Sequence, residues 1–384
     1  MSYIPGAYEN RLRARMQRIT TSVDAAEKAA PMLAALFDPN DRAVTSLREC
    51  YITLTGDREV TGRVDCSDPT RLRALLRNQE ADGRLREAID SSAWANVLGA
   101  ALGRQLVREY SDARLARFTV WRDLATVVPV DSFRTQERVR WGGYGELPVV
   151  FEGGAYAALT TPPTEAATYS VTKRGGLESV TLEMVQNDDV NALRLIPKLL
   201  AEAAARTLGH FVLDFLRLNL PIYDGQTLFH ASRGNLASAP LSAAAMAAAI
   251  AAMQKRTAPG NSDGDPLGIR PRVLWVPFEM EEAGYNLFVR QQQTAAQWLH
   301  RQRLDVRAVW YWNDANDWCV SADPEQCPTI EVGFLHGVEE PELFVQDLPT
   351  AGSLFSFDKL TYKIRHVYGG AALDWRGLYK SVAP

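Results

Sequence analysis

Two strand-like arms enclose a stretch with almost nothing to bury, and no other feature constrains this 384-residue chain as tightly. Arg138-Val139-Arg140-Trp141 and Ser179-Val180-Thr181-Leu182-Glu183-Met184 alternate polar and apolar residues, the period of a strand. Between them lie Gly142, Gly143, Gly145, Pro148, Gly153, Gly154, Pro162 and Pro163. A long hairpin so poor in core residues is marginal by itself. The pattern therefore predicts an arm that rests on a second subunit.

The segment after the hairpin is the opposite case. Leu199, Leu200, Ala203, Ala204, Leu208, Phe211, Val212, Phe215 and Leu216 make a broad apolar stripe at helical spacing. The stripe predicts a helix over about 196–218, roughly 35 Å long at 1.5 Å per residue. Asn187-Asp188-Asp189 supply capping side chains, and Pro197 is expected in the first turn. Downstream, Ser242 is placed to cap an Ala-rich helix that turns Met246, Ile250 and Met253 one way. Val273–Val276 reads as a buried strand, with Pro277 opening a helix through Tyr285 and Phe288. Ala308–Trp312 and Trp318–Val320 flank the turn Asn313–Asp317, which predicts a hairpin. Strands are expected again at Thr329–Leu335 and Leu360–Tyr368.

Residues 1–128 read as mostly helix and loop. Trp94, Val97, Leu98, Ala101, Leu102 and Leu106 share one helical face, and Tyr51–Thr55 has strand alternation. Arg11, Arg13, Arg15 and Arg18 stand against a lone Glu9. That basic run fits a solvated helix face, and equally an arm lying on neighbouring subunits or facing nucleic acid.

Composition excludes several classes. Hydrophobic residues make up 46% and charged residues 23%, ordinary for a globular chain and against wholesale disorder. A net charge of −4 argues against a dedicated nucleic-acid binder. Cys50, Cys66, Cys319 and Cys327 lack zinc or C-x-x-C spacing and read as free thiols of a reducing compartment. No apolar run approaches the roughly 18 residues of a membrane span, and Met1–Gly6 has no signal-peptide core, so a cytoplasmic product is expected.

Catalytic patterns fail on context. Gly260-Asn261-Ser262-Asp263-Gly264 matches a nucleophile elbow, which needs a strand before it and a helix after it. Here an Ala-rich helix precedes it and Asp265-Pro266 comes after, so a soluble α/β hydrolase built on Ser262 lacks its frame and its triad. His210 and Asp214 sit four apart on one helix with no third ligand in sequence reach, and an interface histidine is expected rather than a metal site. The glycines of 142–154 form neither G-x-G-x-x-G nor a Walker loop, and Lys173 lies too far from them to serve a phosphate. No catalytic, cofactor or metal residue is assigned.

The loop after the long helix, Asp224-Gly225-Gln226-Thr227-Leu228-Phe229-His230 running on to Gly234-Asn235-Leu236, has the chemistry of a tight turn. Asp-Gly opens it, an apolar pair anchors it, and Gly-Asn closes it where positive φ is expected. With Glu152–Tyr156, Asn187–Asp189, Arg365–Gly369 and Asp374–Gly377 in the same order, it resembles the landmarks of tailed-phage major capsid proteins. The likeness includes Mu-like head subunits and capsids fused to a prohead protease, and it covers roughly residues 90–380. Ser232-Arg233-Gly234 stands where many of those proteins carry a second histidine.

The resemblance implies an α+β, Hong Kong 97-like fold. Its expected divisions are an arm and helical region (1–128), an extended E-loop hairpin with flanking strands (129–186) and a spine helix (187–220). An axial domain (221–326) and returning C-terminal strands (327–384) complete it. The implied assembly residues are Arg11, Arg13, Arg15, Trp141, Gly153, Gly154, Tyr156, Lys173, Asp224 and His230, with His230 and His366 stabilising turns. The implied partners are other copies in hexamers and pentamers, a portal, a scaffold or prohead protease, a decoration protein, and packaged double-stranded DNA bound non-specifically, with no membrane. An encapsulin-like shell around cargo enzymes shares the fold and is the alternative.

Overall fold

The computed structural model describes residues 102–142, 147–156, 158–159, 161–181, 190–259, 266–288, 297–346, 352, 356–357 and 359–384. The basic arm, the strand expected at 51–55, the caps at 187–189 and the string at 260–264 lie outside them. Helix α1 (102–110) leads through short helical turns to β1 (Ala125–Val130), then β2 (Gln136–Trp141), β3 (Thr164–Tyr169) and β4 (Thr172–Thr181). Helix α2 (Val190–Leu218) is followed by β5 (Leu236–Ala237), α3 (Ala243–Gln254), β6 (Pro271–Pro277), α4 (Glu281–Phe288) and α5 (Gln297–Gln302). The chain ends in β7 (Asp305–Val309), β8 (Trp318–Ala322), β9 (Ile330–Leu335), β10 (Glu342–Gln346), β11 (Lys359–Ala372) and β12 (Leu378–Ser381). The class is α+β.

The chain divides into two compact units. The larger comprises Ala113–Lys173, Ala205–Glu339 and Val367–Pro384. In it, β9 lies between β1, parallel from Ala125↔Ile330 to Val130↔Leu335, and the end of β11, antiparallel from Tyr368↔Phe334 to Ala372↔Ile330. A second sheet runs β5-β12-β8-β6-β7. Leu208, Val212, Leu213 and Leu216 of α2 join Trp121, Leu124, Trp275, Phe334 and Tyr368 in one apolar core. Gly209 permits this approach, since a Cβ there would lie 2.8 Å from the Phe118 carbonyl oxygen and 2.7 Å from the Trp310 ring. Met246, Ile250 and Met253 of α3 pack with Leu274, Val276 and Val320 in a second core. Ser242 caps α3 as expected, its hydroxyl accepting the Ala245 N–H at 3.2 Å.

The other unit comprises Met1–Asp112, Arg174–Ala204 and Glu340–His366. Within it, β10 pairs antiparallel with the start of β11, from Glu342↔Arg365 to Gln346↔Thr361. The Ser179 and Thr361 hydroxyls of β4 and β11 lie 3.2 Å apart. Leu102 and Leu106 of α1 are buried, and Tyr110 meets the His366 ring edge-on at 6.0 Å.

Four expectations about element bounds and pairing change. The helical N-terminal region ends before residue 128, because β1 already begins at Ala125. The hairpin's return arm is β3, paired from Gln136↔Tyr169 to Trp141↔Thr164, while Ser179–Thr181 belongs to β4 on β11. Alternation marks a strand but not its neighbour. Helix α2 starts at Val190, so Pro197 lies inside it rather than in its first turn. Trp312 and Trp318 do not bracket a hairpin: β6 lies between β7 and β8. All of β8 is buried, which requires a central place in the sheet, whereas β7 is half-buried and takes the edge.

The apolar stripe is also rotated from the expected one. Leu199 is 52% exposed, while Ala201 and Ala205 join Leu208, Val212 and Leu216 on the buried face. Leu208→Ala should therefore destabilise the protein by about 2–5 kcal/mol, whereas Leu199→Ala should change it by less than about 0.5 kcal/mol. Chemical denaturation of the two variants measures both.

Candidate functional site

The landmark loop begins where α2 ends. Asn219, at φ 49°, accepts the Phe229 N–H at 2.6 Å and donates to the Phe229 carbonyl at 3.0 Å. That double bond closes a ten-residue excursion and sinks Leu228 and Phe229 into the core. Asp224 opens the turn by accepting the Gln226 N–H at 3.1 Å, with Gly225 at φ 78°. His230 caps the next turn, its Nδ1 accepting the Ser232 N–H at 3.2 Å, and Gly234 closes it at φ 62°. Asn235, fully buried, accepts the His230 N–H and donates to the Leu228 carbonyl, both at 2.8 Å. The landmark residues hold a loop, in which His230 Nδ1 and Ser232 Oγ also lie 2.7 Å apart.

Arg233, the departure from the landmark, completes this loop. Its Nη2 reaches both Asp224 oxygens at 2.6 Å, and its guanidinium lies 5.4 Å from the Trp375 ring centre. Loop and Asp374-Trp375-Arg376-Gly377 turn are thereby joined. Arg256 faces Trp375 at 5.6 Å and donates to the Trp375, Arg376 and Leu378 carbonyls, and burial lowers its pKa to about 10.

The same turn grips the base of the β2–β3 hairpin. Arg376 forks onto Glu165 of β3, Nη1 to Oε2 at 2.9 Å and Nη2 to Oε1 at 3.0 Å, and also donates to the Thr257 carbonyl. Tyr223 donates to Glu165 at 2.8 Å. Asp374, fully buried, is ion-paired with Arg376 and with Arg140 of β2, and accepts the Cys327 thiol at 3.4 Å. Further back along β2, Arg138 donates to Glu331 of β9 at 2.6 Å, and Tyr169 of β3 donates to the same carboxylate. Burial pushes the Glu165 carboxyl up, but hydrogen bonds from Arg376 and Tyr223 and the charges of Arg376 and Arg140 outweigh it, leaving its pKa low.

These ion pairs turn the polar face of β2 inward. Gln136, Arg138 and Arg140 point to the body, and Glu137, Val139 and Trp141 point out, with Trp141 61% exposed. Beyond the base, Leu147, Val149, Phe151, Tyr156 and Leu159 are exposed, Tyr156 at 87%. Gly153, at φ 75°, and Gly154, whose N–H meets the Phe151 carbonyl at 2.8 Å, form a tight turn within this apolar run.

The remaining sequence-selected residues are placed apart. Lys173 is exposed and sits 5.1 Å over the Phe133 ring. His210 stacks on Tyr311 at 3.9 Å, and Asp214 accepts from Arg217 at 2.8 Å and Tyr311 at 3.0 Å, so the pair is engaged in packing. Among the described residues no group of three or more His, Cys, Asp or Glu side chains is arranged to hold a metal ion. No described helix is long and apolar enough to cross a membrane. Arg11, Arg13 and Arg15 lie outside the described residues. Sequence reasoning missed Arg140, Glu165, Arg233, Arg256 and Arg376 as a group, because they meet only through the fold.

A family model described as phage capsid protein matches residues 164–381. No curated protein matches the chain. Among solved structures, a chain from Microbacterium phage Oxtober96 is 9% identical with a TM-score of 0.49, covering 69% of this chain and 91% of that one. One from Mycobacterium phage Bobi is 12% identical with a TM-score of 0.48, covering 69% and 90%. The capsid of an empty GTA particle is 10% identical with a TM-score of 0.47, covering 69% and 89%.

Because Glu165 has a lowered pKa in the folded chain, its stabilising contribution is present above the unfolded value near about 4.3 and is lost as pH falls through the folded one. The denaturation midpoint should fall below about pH 4.3, and Glu165→Gln should flatten that part of the profile while lowering stability at about pH 7. An unchanged slope in Glu165→Gln would remove the carboxylate from this account.

Proposed function

This chain belongs to the phage capsid protein family, and on that premise we propose that its copies close into the icosahedral head of a tailed double-stranded DNA phage. It is a structural protein of the virion. The observation that carries the finer reading is the hairpin, bonded by charge at its base and apolar on its outer face and tip. Such an arm is complete only when it lies on a neighbouring subunit. Its role is mechanical, and assembly takes place in the bacterial cytoplasm.

Capsomers of six and five copies, overlapping through these arms, are the arrangement we infer, with the layout of the Hong Kong 97-like fold. Portal, scaffold or prohead protease act during assembly, and a decoration protein is compatible with a shell held by weak contacts. The enclosed DNA brings its own counterions, so a net charge of −4 is no obstacle to packaging it. Multivalency lets individually small contacts close a shell.

The test is assembly itself. Trp141→Ser should leave soluble subunits with the native near-ultraviolet spectrum, yet reduce closed particles in negative-stain microscopy by at least about tenfold, since a buried aromatic anchor contributes on the order of 2 kcal/mol per contact. Wild-type yield from this variant would show that the outward face is not an interface.

Covalent cross-linking between subunits requires a neutral, desolvated amine. Lys173, the sole lysine between Val130 and Asp189, is exposed and engaged with Phe133. Boiled, reduced particles should therefore run as one band near 42.6 kDa. A ladder that disappears in Lys173→Ala would overturn this.

A further inference from the structure

Arg256, just past the end of α3, is a buried cation with one edge unmet. The residue is 7% exposed. Its Nη1 donates to the carbonyls of Trp375, Arg376 and Leu378. Nε and Nη2 are buried as well, and among the described residues neither has a hydrogen-bond partner. These two nitrogens share one edge of a planar guanidinium, so their N–H groups project side by side as a fork. Leaving charged donors unpaired in the interior is costly.

The charges around the fork do not balance. The Asp374–Gly377 turn gathers three guanidiniums, Arg140, Arg256 and Arg376, against two carboxylates, Asp374 and Glu165. Arg233 leaves the difference unchanged, since it brings its own partner, Asp224. One positive charge is left over. Burial lowers the Arg256 pKa to about 10, so the guanidinium stays protonated at about pH 7. The other acidic groups beside it supply no counter-charge. Burial pushes up the thiols of Cys319 and Cys327 and the phenol of Tyr379 despite the nearby cations, so all three stay neutral. The carbonyl dipoles address Nη1 and leave the fork edge bare.

We propose that the Arg256 fork binds one small monovalent anion, of the size of chloride, taken from solution. Two features set this class. The surplus is a single charge, which a doubly charged phosphate or sulfate would overshoot. Space is also short, because a Cβ on Gly377 of the same turn would lie 2.3 Å from Thr329 Cγ2 and 3.1 Å from the Cys327 sulfur. Such packing favours an ion of one atom over a branched organic one. The ion completes the residue that ties the end of α3 to the turn gripping the hairpin. The inference is independent of the shell reading, because it concerns the single subunit.

Urea unfolding of the full-length wild-type subunit tests it, with sodium chloride replacing sodium gluconate at constant ionic strength. Gluconate is too large for the site. Chloride should raise the midpoint, and above saturation each tenfold increase in chloride should shift the folding equilibrium by about tenfold, as for one bound ion. Arg256→Gln removes charge and fork together and should abolish the dependence. Arg272→Gln, which loses an exposed arginine paired with Asp323, should keep it. Equal wild-type midpoints in the two salts, an unchanged chloride dependence in Arg256→Gln, or its loss in Arg272→Gln would each overturn the proposal. Where Arg256→Gln fails to fold, bromide decides the matter on wild-type protein. Crystals grown in sodium bromide should show an anomalous peak beside Arg256 Nε and Nη2, and bare density there sinks the idea.

Discussion

The fork between Arg376 and Glu165 joins positions 211 residues apart, and the placement of the hairpin depends on it. Taking these charges out of water is expensive, and a buried ion pair is a poor source of net stability. Its contribution is alignment. A planar guanidinium binding both oxygens of one carboxylate admits a single orientation, and Asp374 extends the constraint from β3 to β2 through Arg140. Arg138 and Tyr169 repeat the grip on Glu331. Because Arg138 and Arg140 leave β2 at alternate residues, two adjacent inward positions of that strand are held by charge.

The consequence is an inverted strand. In most half-buried strands the apolar residues point inward. Here the inward positions are Gln136, Arg138 and Arg140, and the apolar ones, Val139 and Trp141, face water in the isolated chain. Charge fixes the arm to its own body and leaves its hydrophobic surface exposed. The division separates folding from assembly: neutralising the base would release the arm, while polar substitution of the outer face leaves the base intact.

How much of this could be read in the sequence differs by element. Ser242 capping α3, the Gly225 and Gly234 turns and the buried Val273–Val276 strand were legible in local chemistry, because each rests on a few adjacent residues. The pairing of β2 with β3 was not. Thr164–Tyr169 is dominated by small and polar residues, and nothing local distinguishes its partner from the stronger alternation at Ser179. The same holds for β7 and β8, where a good turn sequence joins two strands that another strand separates. Asp224 and His230 were legible as turn residues, and Trp141 as a strand residue, through motif and pattern. Arg140, Glu165 and Arg376 were not, since a charge at a strand position ordinarily signals solvent, and only the fold brings Arg140 and Arg376 onto Asp374 and Glu165 onto Arg376.

A rigid base also answers the energetic problem of the tip. Residues 147–156 have no regular strand partner, and ordering side chains as exposed as Phe151 and Tyr156 on a neighbour costs conformational entropy, about 0.5–1.5 kcal/mol for each immobilised side chain. If the whole arm were free to swing, the loss on docking would include its orientation as well. The ion pairs settle orientation during folding, so only the tip remains to be ordered at the interface. In the proposed capsomers each docked arm needs only a modest net gain, because a closed shell repeats the contact. Weak individual contacts have a further use, since a misplaced subunit can leave before its neighbours lock it in. In the proposed shell, strong base and weak tip are parts of one solution: the first defines where the arm points, and the second keeps assembly reversible until the shell closes.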